Sequence, residues 1–157
     1  MVKNKLEKMF SKSCRFDNTI WFMKLHNNPL SHQTTPADYM ITYIKHHKEL
    51  IANLLECKQV TCKEGKGRLA FKRLKQLHDM LSFEKKFPTF HKAYFCIAFY
   101  DTNWSKSDIY IIPVKDMELF IHQSEKVSAN RRDMQTYFYD EKVKINKGVI
   151  DIWSKLQ

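Results

Sequence analysis

Three apolar runs rich in β-branched and aromatic residues, LIANLLECKQV (50–60), KAYFCIAFY (92–100) and DIYIIPV (108–114), commit this chain to a central sheet. TIWFMKL (19–25) and DYMITYI (38–44) read as two further strands. NNPLSHQTTP (27–36) is a loop by its Asn, Ser, Thr and Pro content, and KHHKE (45–49) joins 38–44 to 50–60 as a hairpin.

Helical spacing occupies the intervals. Residues 3–14 put Leu6, Met9, Phe10 and Ser13 on one stripe, with Glu7 beside it. TCKEGKGRL (61–69) is a basic turn with two glycines. The following segment spaces Ala70, Leu74, Leu77 and Leu81 by 4, 3 and 4, which predicts a helix over 70–81 with one packed and one cationic face. A short helix at 115–122 completes the order αβββαββα, and a C-terminal helix near Val149–Leu156 follows it. Such an order predicts a mixed α/β fold, a central mixed β-sheet flanked by helices. At 157 residues, with three glycines, four prolines and no long flexible linker, the chain is expected to form a single domain over 1–157.

Lys and Arg total 27 against 17 Asp and Glu, a formal charge of +10, so the expected partner is a polyanion, nucleic acid or an anionic membrane surface. No apolar run reaches the length of a membrane span, and MVKNKLEKMF lacks the apolar core of a signal peptide; a soluble, cytoplasmic protein that does not engage membranes is expected. Cys14, Cys57, Cys62 and Cys96 show no Cys-x-x-Cys spacing and are expected as free thiols. Cys57-x4-Cys62 has the look of half a zinc site, but Cys57 and Cys96 lie in apolar strand-like runs where Cys acts as a small hydrophobe.

One charged pair interrupts the apolar pattern. Glu56 and Lys58 stand two residues apart inside LLECKQV, and on a strand they emerge on the same face about 7 Å apart. If residues 45–49 are the hairpin loop, Ile44 faces Leu50, and counting back brings Asp38 opposite Glu56. Opposed residues share a face at about 4.5–5.5 Å between Cβ atoms, so two carboxylates and a lysine converge. Carboxylates that close repel each other unless a cation neutralises them, and hard oxygen ligands suit Mg²⁺ or Mn²⁺.

PAD at Pro36–Asp38 followed by ECK at Glu56–Lys58 resembles the PD-(D/E)xK nuclease signature. More widely, TTPADY, LLECKQV, GRLAFKRLKQLHDM, KAYFCIAFYD and DIYIIPV resemble RecU-type Holliday-junction resolvases and their phage relatives over roughly residues 3–122. The resemblance implies a restriction-endonuclease-like core and a metal-dependent DNA endonuclease that resolves four-way junctions in recombination and repair, acting as a homodimer. It implies that Asp38, Glu56 and the backbone carbonyl of Cys57 hold Mg²⁺ or Mn²⁺, that Lys58 assists the attacking water, and that helical Glu7 and Gln76 join the site. Lys45, Lys48, Lys63, Lys66, Arg68, Lys72, Arg73 and Lys75 are candidate phosphate contacts. Longer members of that family carry a basic insertion between the first helix and the Asp; here only WFMKLHNNPLSHQTTP stands in its place. Competing readings are a phage or restriction-type endonuclease acting on duplex or other branched DNA, and a non-catalytic DNA-binding protein whose acidic cluster is structural.

Overall fold

The computed structural model describes residues 5–16, 19–26, 35–45, 49–86 and 92–156. Its elements in chain order are α1 (Lys5–Phe16), β1 (Ile20–Lys24), β2 (Tyr39–Lys45), β3 (Glu49–Cys62), β4 (Arg68–Ala70), α2 (Leu77–Lys86), β5 (Ala93–Asp101), β6 (Asn103–Pro113), α3 (Val114–Ser124), β7 (Ser128–Asn130), α4 (Arg131–Tyr137), β8 (Lys142–Val143), β9 (Ile145–Asn146), β10 (Val149–Ile150) and α5 (Trp153–Leu156). Six strands form the central sheet in the order β1-β2-β3-β5-β6-β8. β3 and β5 run parallel and the other neighbours antiparallel, so the sheet is mixed, as the sequence predicts.

Period-two alternation divides the side chains between two cores. On one face, Leu6, Met9, Phe10 and Cys14 of α1 pack with Tyr39, Ile41, Leu55 and Cys96 of the sheet. On the other, Leu74 and Met80 join Met117 and Phe120 of α3 over Leu54, Phe95 and Ile97. β5 is buried from Ala93 to Phe99, which is why its sequence reads as a continuous apolar run and not as an alternating one. The stripe expected on α1 is the one that packs. Its Ser13 hydroxyl is buried, donating to the Met9 carbonyl and accepting the Ile150 N–H, each at 2.8 Å, so the helix also anchors β10.

The structure corrects the helix expected over 70–81. Arg68–Ala70 instead form β4 against β7, Phe71–Arg73 make one 3₁₀ turn, and α2 begins at Leu77 and runs on to Lys86. Pairing with β7 wins: the Phe71 N–H donates to the Val127 carbonyl at 3.0 Å, fixing the chain before a helix starts. The C-terminal helix expected near 149–156 is likewise only α5, a single turn preceded by β10. All four cysteines are buried free thiols. Cys57 belongs to one core and Cys62 to the other, so the two do not share a metal. No helix among the described residues is long and apolar enough to cross a membrane.

One mismatch of lengths positions the site. β3 has 14 residues and β2 only 7, so β2 covers β3 from residue 49 to 55 and stops. β5 takes over on the opposite edge, pairing residues 54 to 62. From Glu56 onward, β3 keeps one sheet partner among the described residues, and its other edge is left to side chains.

Candidate active site

The register pairs Tyr39 with Leu55 and Ile44 with Leu50, so Asp38, one step before β2, falls beside Glu56 as the sequence predicts. At the place where the β2 ladder ends, an Asp38 carboxylate oxygen accepts the Cys57 N–H at 2.8 Å. The N–H and C=O of one strand residue point to the same edge, so the Cys57 carbonyl faces the same open side. Glu56 is 2% exposed and pairs with Lys58 Nζ at 2.5 Å, and Lys58 also donates to Gln76 Oε1 at 3.4 Å. The remaining Glu56 oxygen, Oε2, is buried without a hydrogen-bond partner among the described residues.

These residues line one polar cleft of about 670 Å³, which Glu7 also borders. Glu7 Oε2 pairs with Lys24 of β1 at 2.7 Å, so its charge is shared with the sheet edge. Lys24 was not singled out by the sequence pattern; it sits at the strand end that faces the N-terminal turn of α1.

The electrostatics are those of an acidic pair short of positive charge. Burial pushes the Glu56 carboxyl up to about 7; the hydrogen bond from Lys58 opposes the rise, while the Asp38 charge adds to it. Burial also raises Asp38, against the Cys57 N–H that lowers it, and the Glu7 charge raises it further. A cation between the two carboxylates would reverse both shifts. The donors suit a small hard ion: two carboxylates, a carbonyl on the same edge, and an oxygen with nothing else to bind. No group of three or more His, Cys, Asp or Glu stands ready-made among the described residues, so such an ion would draw its other ligands from water or a phosphate oxygen.

The basic candidates are dispersed. Lys63 and Lys66 flank a tight turn in which Glu64 and Gly65 have φ of 50° and 73°, and both are exposed. Arg68, Lys72 and Lys75 are exposed beyond it, Arg68 donating to the Ser128 hydroxyl. Arg73 alone of these basic candidates borders the cleft, donating to the Gln59 carbonyl at 3.0 Å. Lys48 and the side chain of Lys45 lie outside the described residues. Residues that sequence reasoning passed over, Lys5, Gln59, Thr61 and Tyr100, also line the cleft. The available signal was the greater length of the 50–60 run over the 38–44 run, which leaves an overhang.

No protein-family model and no curated protein matches the chain. Among solved structures, the chain is similar to a Holliday junction resolvase of the archaeal hyperthermophile Archaeoglobus fulgidus, with 12% sequence identity, 91% of each chain covered and a TM-score of 0.44.

Proposed function

We propose that this chain is a cytoplasmic, metal-dependent DNA endonuclease that hydrolyses phosphodiester bonds, with the four-way junction as its substrate and a homodimer as its working form. The observation that carries the reading is the meeting of Asp38, Glu56 and Lys58 at the point where β3 outruns β2. Their order and spacing resemble the PD-(D/E)xK signature, and the cleft lies on a protein of net charge +10.

Asp38, Glu56 and the Cys57 carbonyl would hold Mg²⁺ or Mn²⁺. When bound, the ion supplies Lewis acidity toward a phosphate oxygen and acidifies a water. The chain's own residues do the rest. Lys58 places a positive charge where the phosphate gains negative charge in the transition state, a preorganised term that needs no solvent to rearrange. Gln76 accepts from Lys58 and holds its ammonium toward the cleft while Glu56 anchors it from the other side. Glu7 adds acidic charge at the cleft border. The exposed cations from Lys63 to Lys75 give the DNA backbone a sequence-independent surface.

Cleavage of a labelled four-way junction and of a duplex with the same arms, with and without Mg²⁺, tests the reading. Lys58→Ala is expected to lose at least about 100-fold in rate while retaining DNA binding, since it removes one oriented charge and no core volume. Cleavage of duplex in preference to junction would replace the resolvase by a restriction-type or phage-type endonuclease. DNA binding without metal-dependent cleavage would leave a binding protein.

A further inference from the structure

The cleft does not end at the carboxylates. Following β3 outward from Glu56, Gln59 is reached three residues on, about 10 Å away. Two cations gather around it. The Arg73 guanidinium donates to the Gln59 carbonyl at 3.0 Å, at the open edge left by β2. On the other face of the sheet, the Gln59 side chain accepts the Leu6 N–H at 3.1 Å and so fixes the first turn of α1, which carries Lys5. Lys5 Nζ lies 4.9 Å from the ring centroid of Tyr100 and 3.4 Å from its hydroxyl. Tyr100 is itself set by an edge contact with Trp104, centroids 4.8 Å apart, and by its hydroxyl's bond to the Thr102 carbonyl at 3.0 Å.

These two cations differ from the ion-paired ones in how they are held. Lys24 is paired with Glu7, Lys58 with Glu56, and Arg131 with Asp108 and Asp101. Among the described residues, Lys5 and Arg73 have no carboxylate partner; a ring and a carbonyl hold them, and neither cancels their charge. Holding a cation in place without neutralising it suits a mobile anion. Tyr100 is not a platform for a base, because Lys5 lies over its ring and Trp104 packs against it.

We propose that Lys5 and Arg73 form a phosphate clamp that grips the DNA strand at a phosphate next to the bond to be cut, with Tyr100 and Gln59 as positioning residues. The proposal rests on the nuclease reading for the identity of the anion. It adds to that reading a second anion site in the same cleft: carboxylates and Lys58 for the reacting phosphate, Lys5 and Arg73 for its neighbour.

Binding of a fluorescent four-way junction and duplex is measured against salt in the presence of a chelator, so that no cleavage intervenes, and cleavage by Lys58→Ala is measured separately. Lys5→Gln and Arg73→Gln are each expected to weaken binding about tenfold and to lower the slope of log affinity against log salt by about one. Tyr100→Leu is expected to weaken binding in the wild-type background and to add nothing in the Lys5→Gln background, while Tyr100→Phe, which keeps the ring, retains most of the affinity. A surface charge of no special position would not show that dependence on Tyr100. If Lys58→Ala is inactive but Lys5→Gln and Arg73→Gln bind with unchanged slope, the clamp is wrong and the nuclease reading stands. If the slopes fall but Lys58→Ala cleaves normally, the clamp stands and the active-site assignment is overturned. Failure of the wild type to bind either DNA overturns both.

Discussion

The carboxylate of Asp38 accepts the Cys57 N–H at 2.8 Å and so supplies the hydrogen bond that β2, which starts only at Tyr39, leaves one rung short. A single side chain therefore closes the β2–β3 ladder and delivers a negative charge to Glu56. The two roles separate by substitution. Asp38→Asn keeps an oxygen for the Cys57 N–H and loses the charge; it is expected to unfold like the wild type in urea and to lose at least about 100-fold in cleavage. Asp38→Ala removes both and is expected to cost, in addition, about 1–3 kcal/mol of stability for the unpaired N–H. Equal stabilities of the two variants would show that the hydrogen bond does not hold the strand.

Gly67 closes the turn that carries Lys63 and Lys66. A Cβ there would stand 2.7 Å from Cys62 Sγ and 3.2 Å from the Thr61 carbonyl oxygen, and the second contact is backbone that no rotamer change relieves. Gly67→Ala is expected to destabilise the fold by about 1–3 kcal/mol, as overpacking does. Gly65, with φ of +73° and open space around its Cα, serves as the contrast: its replacement by Ala strains the backbone without a clash. Urea midpoints of both variants check the ordering.

Asp108 ties β6 to α4 and β8 through ion pairs with Arg131 and Lys142. Burial alone would raise its carboxyl, but hydrogen bonds from those two partners outweigh burial and hold it below the usual value of 3.8. A carboxylate lowered in the folded state stabilises the protein fully above its unfolded value and loses that contribution as pH falls through the folded one. Below about pH 3.8, the stability gap between wild type and Asp108→Asn is therefore expected to narrow. Thermal melts of both proteins from pH 7 to pH 2.5 check this; a constant gap would mean that the pairs do not survive in solution.

How far the sequence carried the fold depends on whether a signal was local. The Ile44–Leu50 pairing and the Asp38–Glu56 meeting followed from a short loop and strict alternation, both of which are local rules. The helix expected over 70–81 starts only at Leu77, because β7, the competitor for its beginning, lies some sixty residues away, and propensity does not register a partner that distant. α4 was missed although its start is marked: Asn130 and Asp133 each accept the other's backbone N–H, at 2.8 and 3.0 Å, a capping box written with Asn and Asp in place of the commoner Ser and Glu. In the site, the carboxylates and Lys58 lie on one strand and its neighbour, so alternation alone found them. Lys5 and Tyr100 come together only through packing of α1 on β5, and no spacing in the chain announces it.

Glu7 and Lys24 give the sharpest remaining test, because a structural and a catalytic role for Glu7 predict opposite patterns. Their ion pair, 2.7 Å long and with Lys24 nearly half exposed, joins α1 to the end of β1, and at such a site it contributes about 0–1 kcal/mol. Glu7→Gln and Lys24→Met both break it. If holding α1 to β1 is all that Glu7 does, the two variants lose the same small stability and cleave alike. If Glu7 also supplies acidic charge to the cleft it borders, Glu7→Gln loses activity and Lys24→Met does not, since removing the lysine leaves the carboxylate in place. We expect the second pattern, with Glu7→Gln slowed at least about tenfold and Lys24→Met within about threefold of wild type, an asymmetry of a size that one oriented charge near a reacting phosphate produces. Single-turnover cleavage with enzyme in excess reads the chemical step apart from binding and product release. Equal rates for the two variants would return Glu7 to the scaffold.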